Sequence, residues 1–358
     1  MYSQINIEDI LIRYFVKYDS LDSLISYAFE GSNENSLNIF IDLYGLYHTI
    51  YSRNFRTNII DYTSFTSSII NMCVHYRSYF RGLGVHTKIF LISSFNLPKT
   101  TLENIPYYNK TMTEKIKNNI VSDAMDLNLN LLELLCPYLP DIFFIKTDFE
   151  SAVIMNEIID RERTSENKCI PALIVSTDIY PIQLCAIKEN VSYIWPRKIH
   201  AEDISLICPN FRHSEFINNF WSIITHKIGN SMSTEKVRCI SPSNLMLLLA
   251  LNHFKDRDLP VIVNMTKAKR IISEVIGFNS MKLTMQSLFD MNPKIHDELD
   301  FPTVNYRYLA LDIPYQSLVF KESVENTTLH YENLQDPGAV RMINDQYFTN
   351  NPIDIFRI

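Results

Sequence analysis

Three carboxylates stand where an α/β chain presents chemistry. Asp178 ends the stretch Leu173-Ile174-Val175-Ser176-Thr177-Asp178. The run 172–175 is short, apolar and β-branched at its end, and it reads as a strand buried on both faces. In open α/β sheets the carboxyl tip of such a strand is where ligands bind. Asp42 lies near the end of a second strong strand, residues 37–43. Glu150 opens a helical stretch, residues 149–161, where an acid, like the neighbouring Asp148, is favourable for the helix N-terminus alone. Two basic sets add a different chemistry. Lys110, Lys115 and Lys117, with Tyr107 and Tyr108, have the charge and rings to hold single strands. Lys267, Lys269 and Arg270 can contact phosphates. As a charged, solvated arch the first set needs no function, which is the favoured reading, and a solvated helix face explains the second set equally well.

Other chemistries lack their residues. The nine histidines form no His-x-x-x-His or similar spacing, so no zinc site is expected. There is no Gly-x-Ser-x-Gly elbow for acyl transfer. Glycine numbers only 7, which leaves little from which to build a phosphate-cradling loop. The six cysteines, among them Cys73, Cys136 and Cys169, include no Cys-x-x-Cys pair and lie mostly in apolar runs. Buried, reduced thiols in an intracellular protein are expected.

The elements that position the acids alternate. Residues 5–30 carry two amphipathic helical patterns, with Ile10, Leu11, Tyr14 and Phe15 in the first and Leu21, Leu24, Ile25, Ala28 and Phe29 in the second. Strand 37–43 is followed by a helix over 62–80 that Gly82 and Gly84 end, then by strand 88–93. A parallel crossover is predicted. Residues 97–119 form a polar arch. A helix over 122–135 is stopped by Pro137 and Pro140. Strand 142–146, helix 149–161, strand 172–175, a short helix near 182–187 and strand 191–195 follow. Irregular helix and loop fill 201–235, and helices are expected at 241–253 and 266–275. From about 300 the chain reads as extended, with Pro337-Gly338 and Asn351-Pro352 punctuating a wrapping tail.

The 358 residues allow a full core and more than one structural unit. A hydrophobic share of 46% against 20% charged makes the chain globular rather than disordered. A net charge of −7 argues against a broad nucleic-acid surface, while leaving room for a local basic groove. Asp9, Arg13 and Lys17 interrupt the N-terminal apolar positions, unlike a signal peptide. No run approaches ~18 uncharged apolar residues, so no membrane span is expected. The abundance of Asn, Ile, Tyr, Phe and Lys fits the codon bias of an AT-rich genome, such as a viral one.

In serial order these pieces resemble the 5′→3′ exonuclease and flap-endonuclease family of PIN-like nucleases, over residues 37–275. Residues 173–178, Ile182-Gln183-Leu184 and Pro196-Arg197-Lys198 are similar to the family's strand, acidic loop, "LLQL" helix and "DPRK"-like strand end. Asp42, followed by Leu46 and Tyr47, is similar to its first strand and catalytic Asp. Residues 106–117 sit where the family carries a basic arch. Residues 241–275, with Asp256, Asp258 and the Lys267/Lys269 helix, resemble its helix–three-turn–helix. The resemblance implies a PIN-like α/β fold, a parallel sheet with helices on both faces, plus a small helical appendage. The expected organisation is a helical extension (1–36), the α/β domain (37–235), the helix–three-turn–helix-like region (236–299) and an extended tail (300–358).

The resemblance also implies phosphodiester hydrolysis by clustered carboxylates around Mg²⁺ or Mn²⁺ held roughly 3.5–4 Å apart. Position by position, this chain has lost part of that cluster. Asp42 is kept. The acid after the second strand falls at Ser93 or Ser94. The family's Glu-Ala-Asp-Asp meets Phe149-Glu150-Ser151-Ala152, with Ser151 and Ala152 at the two Asp positions. Asp178 is kept, but Tyr180 replaces the second acid of its loop. Val261, Asn264 and Thr266 stand near the places of the family's glycines, and side chains there obstruct the close approach to a phosphate backbone that glycine permits.

Three functions follow from the resemblance. The first is a degenerate, non-catalytic 5′-nuclease relative, an interaction or structural subunit of a nucleic-acid-handling or virion assembly, meeting protein partners through its N-terminal helices and C-terminal tail. The second is an active Mg²⁺- or Mn²⁺-dependent nuclease using Asp42, Glu150 and Asp178. The third is a DNA or RNA binder using Lys110, Lys115, Lys117, Lys267 and Lys269.

Overall fold

The computed structural model describes residues 35–44, 46–47, 63–94, 120–147, 149–162, 170–176, 191–196, 204–205, 312–319 and 336–348, with 181, 183–184, 188 and 309. The strands are β1 (Ser36–Asp42), β2 (His86–Ser93), β3 (Ile142–Lys146), β4 (Ala172–Val175), β5 (Val191–Pro196) and β6 (Ile204–Ser205). The helices are α1 (Ser64–Gly82), α2 (Ile120–Leu135), α3 (Ser151–Arg161), α4 (Ile313–Val319) and α5 (Pro337–Tyr347). The strands form one sheet in the order β3-β2-β1-β4-β5-β6. Neighbours from β3 to β5 are parallel, and only the short β6 runs antiparallel, against β5. The parallel-sheet α/β fold class expected from the sequence is the one observed. The expected helical appendage and the N-terminal helices fall outside the described residues.

The central strands are mostly apolar because both faces of the sheet are covered. Leu37, Ile39 and Ile41 of β1, Ile89 and Leu91 of β2, and Leu173 and Val175 of β4 share one hydrophobic cluster with α1 and α2. The alternate residues Phe40, Phe90, Ile92 and Ile174 are equally buried but lie outside that cluster, on the opposite face, as a period of two requires. There Phe40 stacks on Phe90 with centroids 5.2 Å apart, and Phe90 meets Phe143 at 5.4 Å. The registers Phe40↔Phe90 and Phe90↔Phe143 set this row of rings across three adjacent strands. Helix α3 packs on this second face and is in turn contacted by α4.

Helix α1 begins without a side-chain cap of its own, since Thr63 makes no such bond. Its first-turn N–H at Thr66 instead donates to Oδ1 of Asn128 on α2, at 3.0 Å, and Thr66 Oγ1 lies 2.7 Å from the same oxygen. Both residues are fully buried. Asn128 thus serves as a remote cap for one of the donors every helix leaves open at its start. Replacing Asn128 with Ala leaves that amide without its acceptor in a dry interface, while the Thr66 hydroxyl keeps the backbone carbonyl of residue 128, at 3.1 Å. Chemical denaturation is expected to show a loss of about 2–3 kcal/mol, and Thr66→Val, which removes only the hydroxyl, a smaller one.

Two stretches differ from expectation. Residues 201–235 were expected as irregular helix and loop, yet Ile204–Ser205 pairs with β5. The run from 300 was expected to be extended, yet it contains α4 and α5. These helices lie on opposite faces of the sheet. Ser317 of α4 accepts a 3.0 Å bond from Asn156 Nδ2 on α3. Val340 and Ile343 of α5, with the following Phe348, belong to the α1–α2 cluster. Helix α5 forms because Asp336 Oδ1 accepts from the amides of Gly338 and Ala339 at 2.9 and 3.2 Å, while Pro337 occupies the first turn, where its missing N–H costs nothing.

Candidate functional site

The carboxyl edge of the sheet is set by where the apolar runs stop. Asp42 is the last residue of β1 and is only 2% exposed. The register Ile41↔Val175 carries β4 one residue further, to Ser176, beside Asp42. Ser176 Oγ donates to Asp42 Oδ2 at 2.8 Å, and Ser176 is itself fully buried. The other carboxylate oxygen, Oδ1, is also shut off from solvent. A hydrogen-bonded hydroxyl is the ordinary means of making a buried carboxylate tolerable.

On the other side of β1, β2 ends at Ser93, which is buried. Its carbonyl accepts from Thr147 N at 2.9 Å, just beyond the end of β3. Thr147 Oγ1 then accepts from Phe149 N at 3.0 Å, a local turn that delivers the chain to α3. Glu150 is the N-cap of α3, at φ −54° and ψ 136°, and its side chain makes no capping bond. Ser151 and Ala152, at the positions where the resemblance calls for two aspartates, are buried in the first turn.

Of the candidate acids, Asp42 and Glu150 therefore both lie at the carboxyl edge, Asp42 enclosed and Glu150 part-exposed. Asp178, Tyr180, Asp148 and Asp258 fall outside the described residues, as do Lys110, Lys115, Lys117, Lys267 and Lys269. Among the described residues no group of three His, Cys, Asp or Glu side chains is placed to hold a metal ion. Mg²⁺ takes octahedral oxygen ligands and keeps several of its waters, which needs room beside the carboxylate. Asp42 is enclosed and bonded to Ser176, and two of the acids that would share an ion with it, Asp148 and Asp178, lie outside the described residues.

Ser176 is the residue that sequence reasoning missed. Its place in the run before Asp178 was visible, but its role depends on the β1–β4 register, which no local pattern supplies. Among the described residues no helix is long and apolar enough to cross a membrane.

No family model matches the chain, and neither does any curated protein. Among solved structures it is similar to the bacteriophage T5 D15 protein co-crystallised with metal ions, at 12% identity over 81% of this chain and 96% of that one, with a TM-score of 0.46. It is also similar to the catalytic core of Rad2 in complex with DNA substrate, at 12% identity over 92% and 94%, TM-score 0.43. A third is human GEN1 in complex with Holliday junction DNA, at 9% identity over 93% and 73%, TM-score 0.41. The fold class itself rests on the strand order and registers given above.

Proposed function

We propose that the protein is a non-catalytic relative of the 5′-nucleases, a structural or interaction subunit of a nucleic-acid-handling or virion assembly. The observation that carries this reading is the enclosure of Asp42. The carboxylate at the tip of the central strand is spent on a hydrogen bond from Ser176 and is closed to solvent. The replacements around it support the same reading: Ser93 and Ser94 after β2, Ser151 and Ala152 at the start of α3, and Tyr180 beyond β4. A frame that no longer holds metal has no use for clustered acids, which repel one another when bare.

Purified protein incubated with 5′-flap and single-stranded DNA and RNA, in Mg²⁺ or Mn²⁺, is expected to give no cleavage above the Asp42→Ala background. Cleavage that disappears in Asp42→Ala would overturn the proposal in favour of a nuclease using Asp42, Glu150 and Asp178. Tight binding without cleavage, falling steeply with salt, would favour a nucleic-acid binder using the 107–117 arch instead. Stability separates the roles of Asp42 further. Asp42→Ala removes the acceptor of Ser176 Oγ and is expected to cost about 1–3 kcal/mol. Asp42→Asn keeps an acceptor oxygen and is expected to cost less.

A further inference from the structure

Two thiols stand opposite each other along the seam between α1 and α2. Each helix leads from the carboxyl edge of the sheet back to its amino edge, and both pack on the same face, so they run side by side in the same direction. Two hydrogen-bonded ties fix their register. Near the start, Thr66 bonds to Asn128. Near the end, Arg77 Nη1 donates to Pro140 O at 2.8 Å. Cys73 and Cys136 lie between these ties. Counted back from the second tie, each is four residues before its anchor. Counted forward from the first, they lie about 10 Å and about 12 Å along their helices. Seven residues make almost two turns, so Cys73 keeps the side of α1 that Thr66 turns toward α2.

Both thiols are free, buried and in one hydrophobic cluster. Burial raises the Cys73 thiol, and Cys136 is near enough to raise it further. Helices in contact run about 8–10 Å apart and carry each Cα about 2.3 Å off the axis. Facing residues can therefore bring their Cα atoms within the roughly 4.4–6.8 Å that a disulfide spans.

We infer that Cys73 and Cys136 form a redox-responsive brace: glutathione disulfide converts them to a Cys73–Cys136 disulfide that ties α1 to the turn between α2 and β3. The exchange passes through an opened chain, because a buried neutral thiol is a poor nucleophile. One cysteine thiolate attacks glutathione disulfide, which forms a mixed disulfide and releases one glutathione. The other thiolate attacks the protein sulfur of that mixed disulfide and releases the second glutathione. The protein gives up two electrons and two protons, and glutathione disulfide becomes two glutathione thiols. The new bond closes residues 74–135, with β2 and α2 among them, into a loop, which restricts the unfolded chain. This holds whether or not the protein cuts nucleic acid.

The full chain, unfolded in urea and refolded across a range of glutathione to glutathione disulfide ratios, tests the brace. Peptide mapping is expected to show Cys73 joined to Cys136 at the oxidising ratios, in a chain lighter by two hydrogens. The oxidised chain is expected to melt about 5–10 °C above the same chain in reductant, the scale for a loop of this length in a chain of this size. That rise is expected to vanish in Cys73→Ala and in Cys136→Ala, each compared with itself in reductant so that the cost of the substitution cancels. A second arm applies the same buffers to the folded chain in urea just below its midpoint, so that refolding yield does not decide the outcome. Free or glutathionylated thiols at the most oxidising ratio, a different pairing, or a bond that leaves the melt unchanged or lowered overturns the inference. So does a rise that survives either substitution.

Discussion

Phe348→Ala is expected to destabilise the protein by about 3–5 kcal/mol, the cost of removing a large aromatic from a packed core. Phe348 lies more than 140 residues beyond the last strand of the sheet, yet it is fully buried in the cluster built by α1, α2 and one face of β1, β2 and β4. Its amide donates to Asn344 O at 2.9 Å, which closes the end of α5 and fixes the ring's approach. The control is on the same helix. Met342 is 65% exposed, so Met342→Ala is expected to stay within about 0.5 kcal/mol of the parent. Urea denaturation of both variants decides the matter. A Phe348→Ala loss no larger than that of Met342→Ala would mean that α5 is an appended helix and not part of the core.

The second large effect is a loss of stability at alkaline pH. Cys73 of α1, Cys136 after α2 and Tyr76 of α1 are buried together in that cluster. Burial raises the Cys73 thiol well above its usual value, and Cys136 nearby raises it further. Burial likewise raises the Cys136 thiol, and burial followed by Cys73 raises the Tyr76 phenol. All three stay neutral in the fold, while in the unfolded chain the thiols ionise from about pH 9 and the phenol from about pH 10. The unfolded state then binds fewer protons than the folded one, so stability falls as pH rises. It is expected to be level with respect to these groups below about pH 8 and to fall above about pH 9, by up to ~1.4 kcal/mol per pH unit for each group. Cys73→Ala/Cys136→Ala is expected to flatten that limb, whatever it costs at neutral pH. Tyr76→Phe has a further consequence. The Tyr76 hydroxyl is buried with no hydrogen-bond partner among the described residues, so removing it is expected to raise stability at pH 7 by about 1 kcal/mol. Thermal melts from pH 7 to pH 10.5 measure both. An unchanged alkaline slope in the double variant would show that other groups govern it.

The sheet was legible because its strands are buried on both faces. Apolar runs such as Ile142–Lys146 and Ala172–Val175 match the observed strands residue for residue, and β1 and β2 differ from expectation by one or two residues at their ends. Helix ends marked by proline or glycine were equally plain. Gly84 takes φ +76° just after α1, a conformation in which glycine is unstrained. The same punctuation misled near the C-terminus. Asp336-Pro337-Gly338 reads as a chain breaker, but a cap, a first-turn proline and a free amide also begin a helix, and only the apolar seat for Val340, Ile343 and Phe348 decides between the two. At the candidate site the kept and lost acids were visible as residue types. The Asp42–Ser176 bond was not, because it joins residues 134 apart through a strand register that depends on the whole sheet.

The placement of α4 and α5 on opposite faces of the sheet has a consequence for how the protein is made. A ribosome adding roughly 5–20 residues per second spends about 8–30 s between completing β5 and delivering Phe348. Late in that interval all five parallel strands have left the exit tunnel, while the seats of Asn156 and of the α1–α2 cluster still await their partners. The nascent chain is therefore most prone to aggregate after its sheet is complete, and chaperone dependence should be set by translation speed across residues 197–348 rather than across the strands themselves.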